Sequence, residues 1–430
     1  MKKTKILVKL PVLCLFVVTA LAGCAEPNQA EGKKTVKFWY TWQGPETKEM
    51  EKLIDEFNAS QDKIKVEGLS QGDVQKQLTA IVGGNPPDLA VHPDENRLAS
   101  WAHKGAMQPL DPYIKKSGYD LNDFVPGARE AVQYKGKTYG IPMGMNTWML
   151  YYNKDLLKEA GFDGPPETIQ ELKKYAKKLD RTKENGRLER LGLNPGANFQ
   201  YIWMYSFGGK MWDPESQEVT PTDPGFRSAV ELIGENWKRH GAKNMDRFQS
   251  GLGKYNSAQN PFLAGKHAMS IDGIWLASFI DKYASDMNYG IAPIPYDENH
   301  PEAKKTGYMN VNLLYIPKGA ENPDAAWEFL KWVTAKEQMV KFDSGIGNLP
   351  PRKSAIGDPA FDKVPGIDAY TKYVKERDLQ PLPSLPFMTE YLAEIQKQTD
   401  AIYRKKTSLD DGLKEIEKNV QPKADKILKK

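Results

Sequence analysis

The chain has 430 residues, 40% of them hydrophobic and 27% charged, with 30 Pro, 35 Gly and a mean hydropathy of −0.62; this composition excludes a polytopic membrane protein, a collagen-like repeat and a wholly disordered chain. At such a length one hydrophobic core stops growing, so two lobes are expected. The 60 Lys and Arg stand against 56 Asp and Glu, and four of the lysines (Lys2, Lys3, Lys5, Lys9) precede the cleavage point proposed below, so the remainder balances at 56 to 56 and gives no reason to expect a nucleic-acid partner.

Residues 1–9 are basic and 10–22 form an uncharged apolar stretch, the pattern of a secretory signal too short to span a bilayer comfortably. It ends Leu21-Ala22-Gly23-Cys24, where small residues before a cysteine suit a bacterial lipobox; Cys24 would then be acylated and become the mature N-terminus. The rest of the mature chain has no cysteine, so a disulfide framework is ruled out. Residues 25–34 are polar with Pro and Gly and read as a flexible tether. The expected location is the extracytoplasmic face of the cell membrane, with lipid as the anchor.

Residues 35–40 alternate as a strand, and 46–60 carry Met50, Leu53, Ile54 and Phe57 at helical spacing. A short strand at 64–66, a helical stripe through Val74, Leu78, Ile81 and Val82 that stops at Gly83-Gly84, a strand at 88–91 and a helix over 95–103 complete a β-α-β-α-β run. That order predicts a parallel sheet with helices on its faces. Ligands of such sheets bind beyond the carboxyl ends of the strands, which singles out the loops Trp42-Gln43-Gly44 and His92-Pro93-Asp94. Further on, Lys135-Gly136-Lys137-Thr138 reads as a hairpin turn, 140–153 as strand-rich, 167–179 as a helix and 180–190 as a solvated loop. Residues 199–212 concentrate aromatics, including Tyr201 and Trp203. Asn322-Pro323 is expected to cap a helix carrying Ala326, Phe329, Leu330 and Val333, and helical stripes recur from Tyr391 to the end.

Catalytic motifs are lacking: no G-x-S-x-G, no H-E-x-x-H and no C-x-x-C. Lys137-Thr138 resembles the end of a phosphate loop, but Ala131 stands where its first glycine belongs. The five histidines are scattered without metal-ligand spacing, so neither a metal nor another cofactor is expected. Paired carboxylates for glycoside hydrolysis stay open, because their separation is a three-dimensional fact.

Several blocks together resemble the bacterial extracellular solute-binding protein family 1, the carbohydrate-binding group that includes maltose-binding protein. They are Asn85-Pro86-Pro87-Asp88-Leu89; Gly140-Ile141-Pro142 followed by Tyr151-Tyr152-Asn153-Lys154-Asp155; Gly265-Lys266-His267-Ala268-Met269 running to Gly273-Ile274-Trp275; Asn322-Pro323-Asp324-Ala325-Ala326-Trp327; and Gly347-Asn348-Leu349-Pro350-Pro351-Arg352. The resemblance implies an α/β, two-lobed periplasmic-binding-protein-like fold (type II) with its ligand cleft between lobes joined by hinge crossovers. With it come lobes at 35–150 with 306–346 and at 151–305 with 347–430, after the signal peptide (1–23) and tether (24–34). It also implies a lipid-anchored, non-enzymatic receptor, by default a monomer, that captures a mono- or oligosaccharide and passes it to the permease of an ABC importer.

Sugars present flat C–H patches and a rim of hydroxyls, so their clefts need aromatic faces beside hydrogen-bonding side chains. On the resemblance Trp275 is the stacking tryptophan and Asn146 a ligand-contacting amide. Trp42, Gln43, His92, Asp94, Tyr201, Asp272, Asn310 and Arg352 complete the expected contacts, with Glu95, Asn312, Phe387 and Tyr391 behind them. The rival expectations are an anchored polysaccharide-cleaving enzyme and a receptor for a polyol, glycerol phosphoester or peptide.

Overall fold

The computed structural model describes residues 33–428; the expected signal peptide, the expected acylation site Cys24 and most of the expected tether lie outside the described residues. The helix Pro45–Ser60 buries Met50, Leu53, Ile54 and Phe57, the four positions its periodicity selects, each contributing roughly 1.5–3 kcal/mol of apolar burial. The strands Lys34–Tyr40, Ile64–Ser70 and Leu89–His92 pair in parallel, as the β-α-β-α-β reading requires. Strand Thr306–Tyr315 then runs antiparallel to Leu89–His92 and to Ile141–Thr147, and parallel to Asp378–Gln380, which completes the first sheet. A second sheet has the order Tyr289–Ala292, Met149–Asn153, His267–Asp272, Leu188–Asn194, Arg181–Thr182.

The chain passes from the first sheet to the second across one residue, Trp148, between Ile141–Thr147 and Met149–Asn153. It returns between Ala292 and Thr306. The two sheets are therefore tied together where strands from both run end to end, and residues at that seam face the junction of the two lobes. Residues 347–352 and 378–380 also contact the first sheet, through bridges from Leu349 to Met145 and Arg352 to Phe124 and through the pairing with 306–308.

Local chemistry accounts for the boundaries. The hairpin at Lys135-Gly136 has both central residues at positive φ (49° and 71°), the turn that matches strand twist, and joins Gln133–Tyr134 to Lys137–Thr138. Helix Ile169–Leu179 opens with a capping box between Thr168 and Glu171. Two expectations are corrected. Segment 180–190 is not all loop, since Arg181–Thr182 and Leu188–Asn194 form an edge hairpin that buries Leu188 and Leu191. Asn322 precedes helix Pro323–Val333 without capping it by its side chain; its Nδ2 donates to the Thr35 carbonyl instead, while its backbone N–H donates to Asp88.

Candidate binding site

The strand His267–Asp272 ends at the seam, and Gly273-Ile274 turn it into the helix Trp275–Tyr283. A Cβ on Gly273 would fall 2.2–2.4 Å from the Trp275 ring, so the glycine is what lets the indole fold back over the backbone. Trp275 Nε1 donates to the Tyr255 hydroxyl at 2.5 Å, and that hydroxyl donates to Asp272 Oδ1 at 2.5 Å. Asp272 also accepts from the Gly273 N–H; burial nevertheless pushes its carboxyl up to about 6. Half-buried Trp275 is thus held by its edge with its ring at the seam.

Trp148, in the crossover itself, meets Trp275 edge to face at 6.0 Å and stacks on Tyr308 at 5.3 Å. Tyr308 in turn meets Tyr201 at 5.1 Å, and Phe199 closes the series on Trp148 at 6.0 Å. The aromatic series therefore runs continuously from the Trp275 turn to the helix Gln200–Ser206. Tyr201 shares a cavity of about 310 Å³ with Asp94, Asn96, Arg97, Asn198 and Gln396.

The first-sheet side is polar. Asn146 Nδ2 donates to Asn310 Oδ1 at 2.9 Å across the strand pair, and Asn312 Nδ2 donates to the Pro93 carbonyl at 2.7 Å. Asp94 caps the following turn through the Asn96 N–H. Glu95 is buried, accepts from the Val311 N–H and leaves Oε1 without a partner; burial and the nearby Asp94 charge push its carboxyl up to about 8.

The structure thus gathers Tyr201, Asp272, Trp275, Asn146, Asn310 and Asp94 at one seam. Gln43 is exposed at the end of the first strand, packed over Gly72, where a Cβ would meet its amide nitrogen. Three expectations are corrected. Arg352 is 8% exposed, and its guanidinium is consumed by the Thr334 carbonyl, Asp123 and the Tyr119 hydroxyl while lying over the Phe124 ring at 4.3 Å, so it braces the first lobe. Trp42 is 7% exposed and packs edge-on against Phe342 at 4.6 Å, which makes it core rather than an open stacking face. His92 is buried against Trp101; its Nδ1 donates to the Asp94 carbonyl, its Nε2 is unpartnered, and burial lowers its pKa. Of the residues held in reserve, Phe387 and Tyr391 are also buried.

Sequence reasoning missed Trp148, Tyr255 and Tyr308. Trp148 lies in the strand-rich passage 140–153 and was findable there; Tyr255 sits in a polar loop with no signal. It also missed Asp343, wholly buried with both carboxyl oxygens unpartnered and lying 3.2 Å from where a Gly144 Cβ would stand. Among the described residues, no three or more His, Cys, Asp or Glu side chains group to hold a metal, and no helix is long and apolar enough to cross a membrane. Flat ring faces beside amide and carboxylate groups are the chemistry that grips a polyhydroxylated ring.

Comparison with known proteins bears on this arrangement. Residues 42–340 match the bacterial extracellular solute-binding protein family. The chain is 27% identical over 401 residues to the maltotriose-binding protein of Pyrococcus abyssi, covering 91% of this chain and 83% of that one. It is 26% identical over 396 residues to the sn-glycerol-3-phosphate-binding periplasmic protein UgpB of Escherichia coli K12, covering 86% of each. Among solved structures, CpMnBP1 with mannobiose bound superposes with a TM-score of 0.78 at 27% identity, covering 90% of this chain and 99% of that one.

Proposed function

Since the chain belongs to the bacterial extracellular solute-binding protein family, we propose that it captures a mono- or oligosaccharide at the seam between its two lobes and delivers it to the membrane permease of an ABC importer. The observation that carries this reading is the set of rings Trp275, Trp148 and Tyr201, joined behind by the buried Tyr308 and set against the amides and carboxylates of Asn146, Asn310, Asp94 and Asp272. Relatives that bind maltotriose or mannobiose support the ligand class. Capture draws the lobes together by rotation at the crossovers around Trp148 and Thr306, and the closed population is the one the permease reads. In this reading the lobes expected at 35–150 with 306–346 and at 151–305 with 347–430 are amended, residues 347–352 and 378–380 joining the first lobe whose sheet they contact, and acylated Cys24 holds the protein, as a monomer, at the outer face of the membrane. The ligand leaves chemically unchanged.

The test is tryptophan fluorescence of the purified protein against mannobiose, mannotriose, maltotriose and monosaccharides, with reducing ends assayed in parallel. Saturable quenching without new reducing ends supports the receptor. Product accumulating with time would replace it with the glycan-cleaving enzyme.

A further inference from the structure

We infer that this cleft selects neutral saccharides and rejects anionic ones, so that phosphorylated sugars, glycerol phosphoesters and uronates are excluded by charge. The inference rests on the carbohydrate reading above and narrows it, against the precedent of a glycerol-phosphate-binding relative of nearly equal similarity.

Carboxyl groups stand at both ends of the aromatic series. At one end Asp272 lies beside Trp275, and both the Tyr255 hydroxyl that donates to it and the indole that donates to that hydroxyl are uncharged. At the other, Asp94 lines the cavity of Tyr201, and Glu95 lies buried directly behind it. Among the residues lining that cavity Arg97 is the one cation, and it shares the wall with Asp94, so the pair offers no net positive charge. The second guanidinium that the sequence suggested, Arg352, is withdrawn into the first lobe by Asp123.

The cleft's own hydroxyls respond to this field. Burial holds the protons of Tyr201 and Tyr308 more tightly, and the acids Glu95 and Asp94 act in the same direction where ionised; Glu95, pushed up to about 8, is largely protonated at neutral pH, which leaves Asp94 to carry the charge at this end. Burial and then Asp272 act alike on Tyr255. A phosphate or carboxylate entering such a site would lose its hydration and meet the carboxylates of Asp94 and Asp272, with Arg97 the single cation among the residues lining the Tyr201 cavity. A neutral sugar meets acceptors for its hydroxyls.

The experiment uses matched ligands at low ionic strength, read by fluorescence or calorimetry: mannobiose and maltotriose, the same sugars oxidised to uronates at the terminal C6, and glycerol 3-phosphate. Each uronate should bind about 100-fold more weakly than its neutral parent. Asp94→Asn and Asp272→Asn, singly and combined, should narrow that ratio by about tenfold or more even where they weaken the parent. Uronates binding as tightly as their parents, or a ratio untouched by the combined variant, overturns the charge argument while leaving the sugar reading intact. Glycerol 3-phosphate binding while no saccharide does overturns both, and so does a failure of every ligand to bind.

Discussion

The two walls of the seam are built from different chemistry. The second-lobe wall presents rings: Trp275 pinned through its indole nitrogen, Trp148 in the crossover, and Phe199 and Tyr201 from the far segment. The first-lobe wall hides its rings, Trp42 against Phe342, His92 against Trp101 and Tyr308 beneath Trp148, and presents amides and acids instead. Stacking area is tolerant of which sugar lies on it, whereas hydrogen bonds left unpaired by a wrong hydroxyl are costly. On the proposed carbohydrate reading, this contrast would give affinity mainly to the second lobe and discrimination mainly to the first.

Trp275→Ala attacks the stacking wall and should weaken saccharide binding by about 100-fold or more, a loss of about 3 kcal/mol. Calorimetry measures it, and an unchanged circular dichroism melt shows that the fold survives; unfolding would mean the indole is there for packing. Arg352→Met probes a residue the two-wall picture removes from the site. It should cost about 3 kcal/mol of stability by breaking a mostly buried ion pair, yet leave the affinity of the folded protein within about twofold of its original value, as denaturant melts and titrations can compare.

Glu95 tests the polar wall through pH. Its carboxyl is raised from the ordinary 4.5 to about 8 in the folded protein, so the native state binds the extra proton and stability is lost as pH rises through that interval. Glu95→Gln should flatten the fall in melting temperature between those pH values; an unaltered profile would show that Glu95 is not the group responsible. Gln43→Ala, at an exposed rim, should shift both stability and affinity by no more than about 0.5 kcal/mol. A tenfold loss of affinity would place the first-strand loop in the contact and blur the division between walls.

Much of this organisation is legible in the residues. Periodicity finds Met50, Leu53, Ile54 and Phe57, because an amphipathic helix announces its buried face. The block ending in Gly273-Ile274-Trp275 points to its tryptophan through its resemblance to the family, and the structure adds that a Cβ on Gly273 would clash with the ring folded over it. Burial is less legible. Trp42 and Trp275 are the same residue type at the ends of strands, and only the position of Phe342, 300 residues further along, decides that one is covered. Arg352 misleads for the same reason, since its partners Asp123 and Tyr119 are more than two hundred residues away. Tyr255 reaches the site only because the fold lays a polar loop against Asp272, and no local pattern encodes that approach.

Closure of the lobes around a carbohydrate is most directly tested by small-angle X-ray scattering of the protein, free and saturated with the saccharide that quenches its fluorescence. The account predicts a smaller radius of gyration in the saturated state, and the same sugar recovered intact afterwards. Superimposable scattering curves for the free and saturated protein would contradict it.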